Sequence, residues 1–506
     1  MPNAPTQKKN QSTQPPHLRG LRNPYIGFTE IFVAGVWRKG RSQEKIIDVD
    51  PYRGETLLEI HAADASDLNE AYQSAKEAQK AWASAPPQFR RGILLRVVQI
   101  LEMRKEEIIS WLVRETGSTL AKAALEHMLA TQGTLEAATY PFRMTGEIIP
   151  CSIPGKEGRV YRQPAGVVGV ISPWDFSLQL TNRSVAPALA AGNAVVLKPA
   201  STTPITGGLL FGKIYEEAGL PPGVLNVIVG SGHEIGDLFV THPVPRVITF
   251  TGSTEVGRHI GRLCGENLKK ASLELGGNCP FVVLEDADVE QAVNAGILGK
   301  FLNAGQICMA INRFLIHEKV YDQFLALFTE RVKALKWGDP GDPAVHFGPI
   351  IDQKQFDAIQ NFVRETIEAG ARVVLQGPSE GLVMHPVILA DVTMDMPAAR
   401  TEIFGPVALF IKGSSEEELL QMANDTEYGL SSAVFTRDLE RGARFARKIE
   451  AGMSHVNDMT INDEPNSPFG GEKASGIGRF GGQWALNEFT TEHWITIQEE
   501  ARAYPF

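Results

Sequence analysis

Two side chains in this sequence carry the parts of covalent acyl chemistry: Cys308 in the segment NAGQICMAINR and Glu274 in LELGGN. A thiolate can attack a carbonyl carbon, and a nearby carboxylate can take a proton from the thiol or from a hydrolytic water. Cys308 alone is a weak signal, because a cysteine among Ile and Met is usually an inert core residue. The small residues Ala304 and Gly305 leave room around its sulfur. Glu274 is the better clue. A carboxylate inside an apolar strand is costly to bury, so it needs a partner, a raised pKa or a reaction to serve. Gly276 and Gly277 follow it and permit close approach of another segment. Spacing alone does not show that thiol and carboxylate meet.

Other residues suit a phosphate-bearing ligand. In open α/β sheets ligands bind where strands end and helices begin, because helix N-termini and tight glycine turns offer free N–H groups. The segment FTGSTEVG places Gly252 and Ser253 at such a junction. It is not the G-x-G-x-x-G fingerprint, and a glycine there is more often only a turn. Lys198 ends the run NAVVLKP, from which an ammonium can reach a ribose or phosphate; a solvated lysine is the ordinary alternative.

These residues sit in a regular alternation. From 167 to 284, apolar strand-like runs alternate with helix-like segments, which predicts βαβ units and a parallel sheet. A second alternating α/β region follows from about 285 to 470, so two α/β domains are expected. Upstream, IFVAGVWR (31–38) reads as strands, and two amphipathic helices are expected over 64–84 and 90–117, the second stopping at Gly117. The segment 146–166 reads as an extended arm of two short strands. The final run TTEHWITIQEE alternates like a strand and could pair with that arm or with a neighbouring subunit.

Composition narrows the function classes. Lys and Arg total 49 against 59 Asp and Glu, a net charge of −10, which opposes attraction to nucleic acid or anionic membrane. A small-molecule substrate is expected. Four scattered cysteines, Cys151, Cys264, Cys279 and Cys308, make no disulfide framework and no C-x-x-C pair, so no metal is expected and a reducing, cytoplasmic setting is. Residues 1–24 are polar and Pro/Gln-rich, and read as a flexible tail rather than a signal peptide. No run approaches the length of a membrane helix.

The segments SPWDF (172–176), GNAVVLKPAS (192–201), FTGSTEVG (250–257), LELGGN (273–278), FLNAGQIC (301–308), EIFGP (402–406), NDTEYGL (424–430) and PFGG (468–471) occur together and in order. In them the chain resembles the aldehyde dehydrogenase superfamily from about residue 25 onward. The resemblance implies a Rossmann-like parallel-sheet cofactor domain over 25–145 and 167–278. It also implies an α/β catalytic domain over 279–483, and an oligomerisation arm from 146–166 and 484–506 that makes a homodimer or homotetramer. It implies oxidation of an aldehyde with NAD or NADP. Cys308 would attack to give a thiohemiacetal and then a thioester, and Glu274 would activate the hydrolytic water. The Cys308 N–H would be one oxyanion donor. Glu402 and Phe404 would hold the nicotinamide ribose and ring, and Lys198 and Ser201 the adenosine ribose. Gly232, Gly252 and Ser253 would line the pyrophosphate path, with Ser172, Trp174 and Leu275 also against the cofactor.

The chain departs from the family pattern at the second oxyanion donor. Where the family reads Pro-Trp-Asn-Phe-Pro, this chain reads Pro173, Trp174, Asp175, Phe176, Ser177. An ionised Asp175 cannot donate a hydrogen bond and sets like charge against the oxyanion. Loss of one such donor costs about 2.7–4 kcal/mol. Asp175→Asn is therefore expected to raise turnover, unless Asp175 is held protonated and donates from its O–H. Ser201 stands where many members have Glu, an acid that repels a 2′-phosphate, so use of both cofactors is expected. The segment 455–482 and the string GQICMAINR look most like the branch acting on benzaldehyde and vanillin. Phe176 and Phe469 are then candidates for an aromatic pocket, with core packing the equal alternative. Phe480 replaces a Glu that some members carry, leaving Glu274 as the expected sole base. The alternatives are a semialdehyde or CoA-acylating dehydrogenase, and a cofactor-binding relative impaired by Asp175.

Overall fold

The computed structural model describes residues 18, 21 and 23–506. Of the tail expected over 1–24, Leu18 is buried in the core; the remainder lies outside the described residues apart from 21, 23 and 24.

An eight-stranded sheet carries the cofactor half. Its centre is five parallel strands, in the spatial order Lys270–Glu274, Val247–Thr251, Val167–Ile171, Ala194–Lys198 and Leu225–Val227. The hairpin Ile31–Val33/Val36–Arg38 closes one edge, antiparallel to Leu225–Val227. The central strands are apolar and buried on both faces, as parallel strands covered by helices must be. The helices Ser177–Ala190, Leu210–Glu217, Gly232–Thr241 and Thr254–Glu266 alternate with them.

The second region is a seven-stranded sheet, with Cys279–Val283, Ile311–His317, Val387–Ala390, Val407–Gly413, Ser431–Phe435 and Met453–Val456 running parallel. It encloses its own core of Phe281, Phe314, Phe324, Phe328 and Phe410. The region expected over 279–483 does not close on this sheet alone. Gly476–Ile477 crosses back to pair antiparallel with Lys270–Glu274, so the polypeptide after Cys308 also braces the strand that ends in Glu274.

The arm is a three-stranded sheet of Glu147–Pro150, Lys156–Pro164 and Thr490–Gln498; the terminal strand pairs with the arm of its own chain over nine residues. Helix Ala65–Ser84 matches its expected span. The single helix expected over 90–117 is two, Pro87–Met103 and Lys105–Thr116, broken at Arg104. It stops at Gly117, whose φ of +67° is the left-handed cap that glycine adopts without strain. The hairpin Lys45–Val49/Thr56–His61 and the helix Leu120–Ala137 were not expected. Among the described residues no helix is long and apolar enough to cross a membrane.

Candidate active site

Between the two sheets lies a cavity of about 440 Å³. Its wall contains Cys308, Glu274 and Asp175, and also Ser172, Trp174, Gly252, Ser253, Leu275, Glu402 and Phe404. Thiol and carboxylate, which spacing could not bring together, share one space. A larger groove of about 570 Å³, bordered by Arg53, Glu106 and Arg114, is lined by none of these residues.

Cys308 follows a tight turn. Helix Val289–Phe301 ends, and Asn303 and Ala304 adopt left-handed backbone at φ +53° and +56° before the chain enters strand Ile311–His317. Such residues cost on the order of 1–3 kcal/mol each and persist where the surroundings hold them. Here Asn303 Nδ2 donates to the carbonyl oxygens of Gln306 (3.0 Å) and Asp175 (3.3 Å), and Gln306 Oε1 accepts from the Ile351 amide (2.9 Å). The Cys308 carbonyl packs so closely on Gly277 that a Cβ there would lie 2.2 Å from it, and Cys279 Sγ donates to the same oxygen at 3.6 Å. Burial and the Asp175 charge push the Cys308 thiol well up; Arg183 works against them.

Glu274 ends strand Lys270–Glu274 and is 2% exposed. Among the described residues neither carboxylate oxygen accepts a hydrogen bond of good geometry, and burial raises its pKa to about 7 against the pull of Arg183 and Arg479. A carboxyl poised near neutrality suits proton transfer. Gly470 packs beside it, where a Cβ would meet Glu274 Oε1 at 3.0 Å.

Asp175 precedes helix Ser177–Ala190 and is 5% exposed. Burial pushes it up to about 6, with Lys122 opposing. Lys122 Nζ donates to the Asp175 carbonyl oxygen (2.7 Å) and to Glu126 Oε2 (2.5 Å), while Glu126 Oε1 accepts from the amides of Leu178 (2.8 Å) and Gln179 (3.3 Å). This buried pair grips the first turn of the helix and so fixes Asp175. Sequence reasoning missed it. The signal was present, since Lys122 and Glu126 fall on the same face of helix Leu120–Ala137 as Ala123, His127 and Ala130.

At the other end of the cavity, Gly252 and Ser253 join strand Val247–Thr251 to helix Thr254–Glu266, with Ser253 as its N-cap. Trp174 and Phe404 meet edge to face, centroids 5.2 Å apart. Glu402 Oε1 accepts from the Gly277 amide (2.9 Å); burial raises its pKa to about 8, with Lys300 opposing. Lys198 ends its strand buried, which lowers its pKa to about 8. Lys198, Ser201 and Gly232 do not line the cavity, although Ala200 does. Gly232 opens helix Gly232–Thr241, with open space where a side chain would be.

Phe176 and Phe469 do not line the cavity either. Each covers a buried cation: Lys122 Nζ lies 4.1 Å from the Phe176 ring centre, and the Arg183 guanidinium 4.0 Å from that of Phe469 and 5.0 Å from that of Phe480. Cation–π contact accounts for their burial in place of the expected aromatic pocket. Gln355, Ala358 and Phe362, from helix Gln353–Glu368, line the cavity without having been singled out in the sequence. Among the described residues no group of His, Cys, Asp and Glu could hold a metal ion.

Comparison with known proteins converges on one family. The aldehyde dehydrogenase family model matches residues 37–495. Benzaldehyde dehydrogenase YfmT of Bacillus subtilis is 51% identical over 95% of this chain and 99% of its own. Vanillin dehydrogenase of Corynebacterium glutamicum is 48% identical over 94% and 98%. The crystal structure of an NAD-dependent benzaldehyde dehydrogenase from Corynebacterium glutamicum superposes with a TM-score of 0.87, at 45% identity over 94% of this chain and 99% of that one. With a family model spanning most of its length and relatives near half identity, the chain belongs to the aldehyde dehydrogenase family.

Proposed function

We propose that the chain oxidises an aromatic aldehyde of the benzaldehyde or vanillin kind to its carboxylic acid, with NAD or NADP. The observation that carries this reading is the one cavity shared by Cys308, Glu274, Asp175 and Glu402. The names of its relatives supply the aromatic class.

The residues fit a nicotinamide dinucleotide. The Gly252–Ser253 junction sits at a helix N-terminus suited to pyrophosphate, and the Trp174–Phe404 corner and Glu402 suit the nicotinamide and its ribose. Lys198 and Ser201 would meet the adenosine ribose. Ser172, Leu275 and Gly232 would complete the surface. Such a cofactor supplies the hydride acceptor. Cys308 forms the thiohemiacetal and carries the acyl group as a thioester. Its own N–H donates to the oxyanion, and the Ile307 carbonyl of the same peptide unit accepts from the Ala310 amide (2.9 Å). Glu274 accepts a proton from the water that attacks the thioester, so hydrolysis replaces transfer to coenzyme A.

Ser201 carries no charge to repel a 2′-phosphate, and both cofactors should serve; Ser201→Glu is expected to lower NADP efficiency while sparing NAD. The exposed Ile148, Tyr161 and Trp494 of the arm support a homodimer or homotetramer, which sedimentation tests. Four free cysteines suit a reducing cytoplasm. A spectrophotometric screen of aromatic and aliphatic aldehydes with each cofactor tests the whole reading. Preference for aliphatic aldehydes, a coenzyme A requirement, or an NAD-to-NADP efficiency ratio above about a thousand (some 4 kcal/mol) would each overturn its part.

A further inference from the structure

We propose that Asp175 is the general base for Cys308: its carboxylate takes the thiol proton as the sulfur attacks the aldehyde, and the acid so formed donates to the oxyanion. The inference rests on the reading of Cys308 as nucleophile and deepens it.

The surroundings of Cys308 disfavour a free thiolate. The charges of Asp175, Glu274 and Glu402 raise the thiol, and that of Arg183 lowers it. Burial acts in the same direction as the carboxylates. The proton must therefore leave as the C–S bond forms, which needs an acceptor at hand. Of the charges acting on the thiol, Asp175 acts most strongly, and it lines the same cavity.

The Asp175 carboxylate accepts from the backbone amides of Asp175 and Phe176, contacts that leave it able to take a proton. Lys122 donates to Glu126 and to the main-chain oxygen of Asp175 and forms no ion pair with its carboxylate among the described residues. Asn303 Nδ2 reaches the same main-chain oxygen and also the Gln306 carbonyl, so one amide ties Asp175 to the turn that carries Cys308. Backbone is pinned on both sides while the carboxylate stays outside any ion pair among the described residues. The charged groups facing Asp175 are Lys122 and Glu126 from helix Leu120–Ala137, together with the Cys308 thiol and Glu402. Burial raises Asp175 to about 6, so at pH 7 it is mostly in the accepting form, and that form is lost as pH falls through 6.

The step balances without an oxidant. The S–H bond breaks and an O–H bond forms on Asp175; the sulfur pair makes the C–S bond, and the carbonyl π pair moves to oxygen. The new Asp175 O–H then points a donor at that oxyanion, which removes the wrong sign of an ionised carboxylate there. Glu274 remains available for water.

The test is the rate at which iodoacetamide alkylates Cys308, read on its peptide by mass spectrometry from pH 5 to 9 in the full-length enzyme, Asp175→Asn and Asp175→Glu. We expect the wild-type rate to rise through an inflection near pH 6. Asp175→Asn should be at least tenfold slower at pH 7, with its inflection moved above pH 8, and Asp175→Glu should recover part of the rate. An Asp175→Asn enzyme alkylated as fast as wild type, or faster, overturns the proposal, because a carboxylate that only repels the thiolate gives that result. Alkylation needs neither aldehyde nor cofactor. Failure of the aldehyde screen with a slow Asp175→Asn therefore sinks only the substrate reading, and aldehyde oxidation with a fast Asp175→Asn sinks only this one.

Discussion

Two buried cations serve the cavity, and they are used in opposite ways. Lys122 makes two hydrogen bonds, to Glu126 and to the Asp175 carbonyl oxygen, and lies over the Phe176 ring. Arg183 has two terminal nitrogens without a hydrogen bond among the described residues, and its nearest carboxylate oxygen, on Asp463, is 3.6 Å away. The faces of its guanidinium rest on Phe469 and Phe480. Lys122 is spent on geometry. Arg183 keeps its charge for the site, where it is the strongest cationic influence on both Glu274 and Cys308. A buried charge can hold a backbone or bias a proton, and the partners decide which.

The comparison breaks first at Lys122. Lys122→Met leaves Glu126 charged and unpaired in the interior, which costs about 3–5 kcal/mol of stability. Urea unfolding should show that loss, and Lys122→Met/Glu126→Leu should recover most of it. A loss below about 1 kcal/mol in the single variant would mean the pair does not brace the helix.

Glu274 sharpens the other side. Its folded pKa near 7 lies above its ordinary 4.5, so the folded state holds the proton more tightly between those values. Stability is then highest below the unfolded value and falls as pH rises through the folded one. Relative to Glu274→Gln, the wild type should lose up to about 3 kcal/mol as pH is raised from 4.5 to 8. Parallel unfolding curves at every pH would show that Glu274 is not raised.

Arg183→Met should leave the fold close to intact and move the chemistry. Without its charge Glu274 titrates higher, so the acid limb of the kcat profile should move up by about one pH unit, or 1.4 kcal/mol of lost bias. An unmoved limb would place Arg183 with Lys122 as a packing residue.

The sheets and most of their helices were legible because their apolar runs have the right period and end at Gly, Asp or Ser. The helix Leu120–Ala137 was not, since Lys122 and Glu126 interrupt its apolar face with residues that ordinarily mark a solvated one. In the site, Glu274 stood out by type and position, whereas Cys308 and the Gly252–Ser253 turn were weak signals until the family segments were read together. Phe176 and Phe469 could not be placed, because an aromatic that covers a cation and one that lines a pocket look the same in a string of letters. Whether Asp175 is charged depends on its burial and on Lys122, neither of which is local in sequence.

The account rests on Cys308 carrying the acyl group and Glu274 releasing it. Mixing Glu274→Gln with benzaldehyde and NAD, both in excess over active sites, followed by intact mass spectrometry and peptide mapping, tests this directly. The account predicts a burst of one NADH per active site, a benzoyl mass on Cys308, and steady turnover slowed by roughly 10²–10⁴. Undiminished turnover, or an acyl mass on any residue but Cys308, would contradict it.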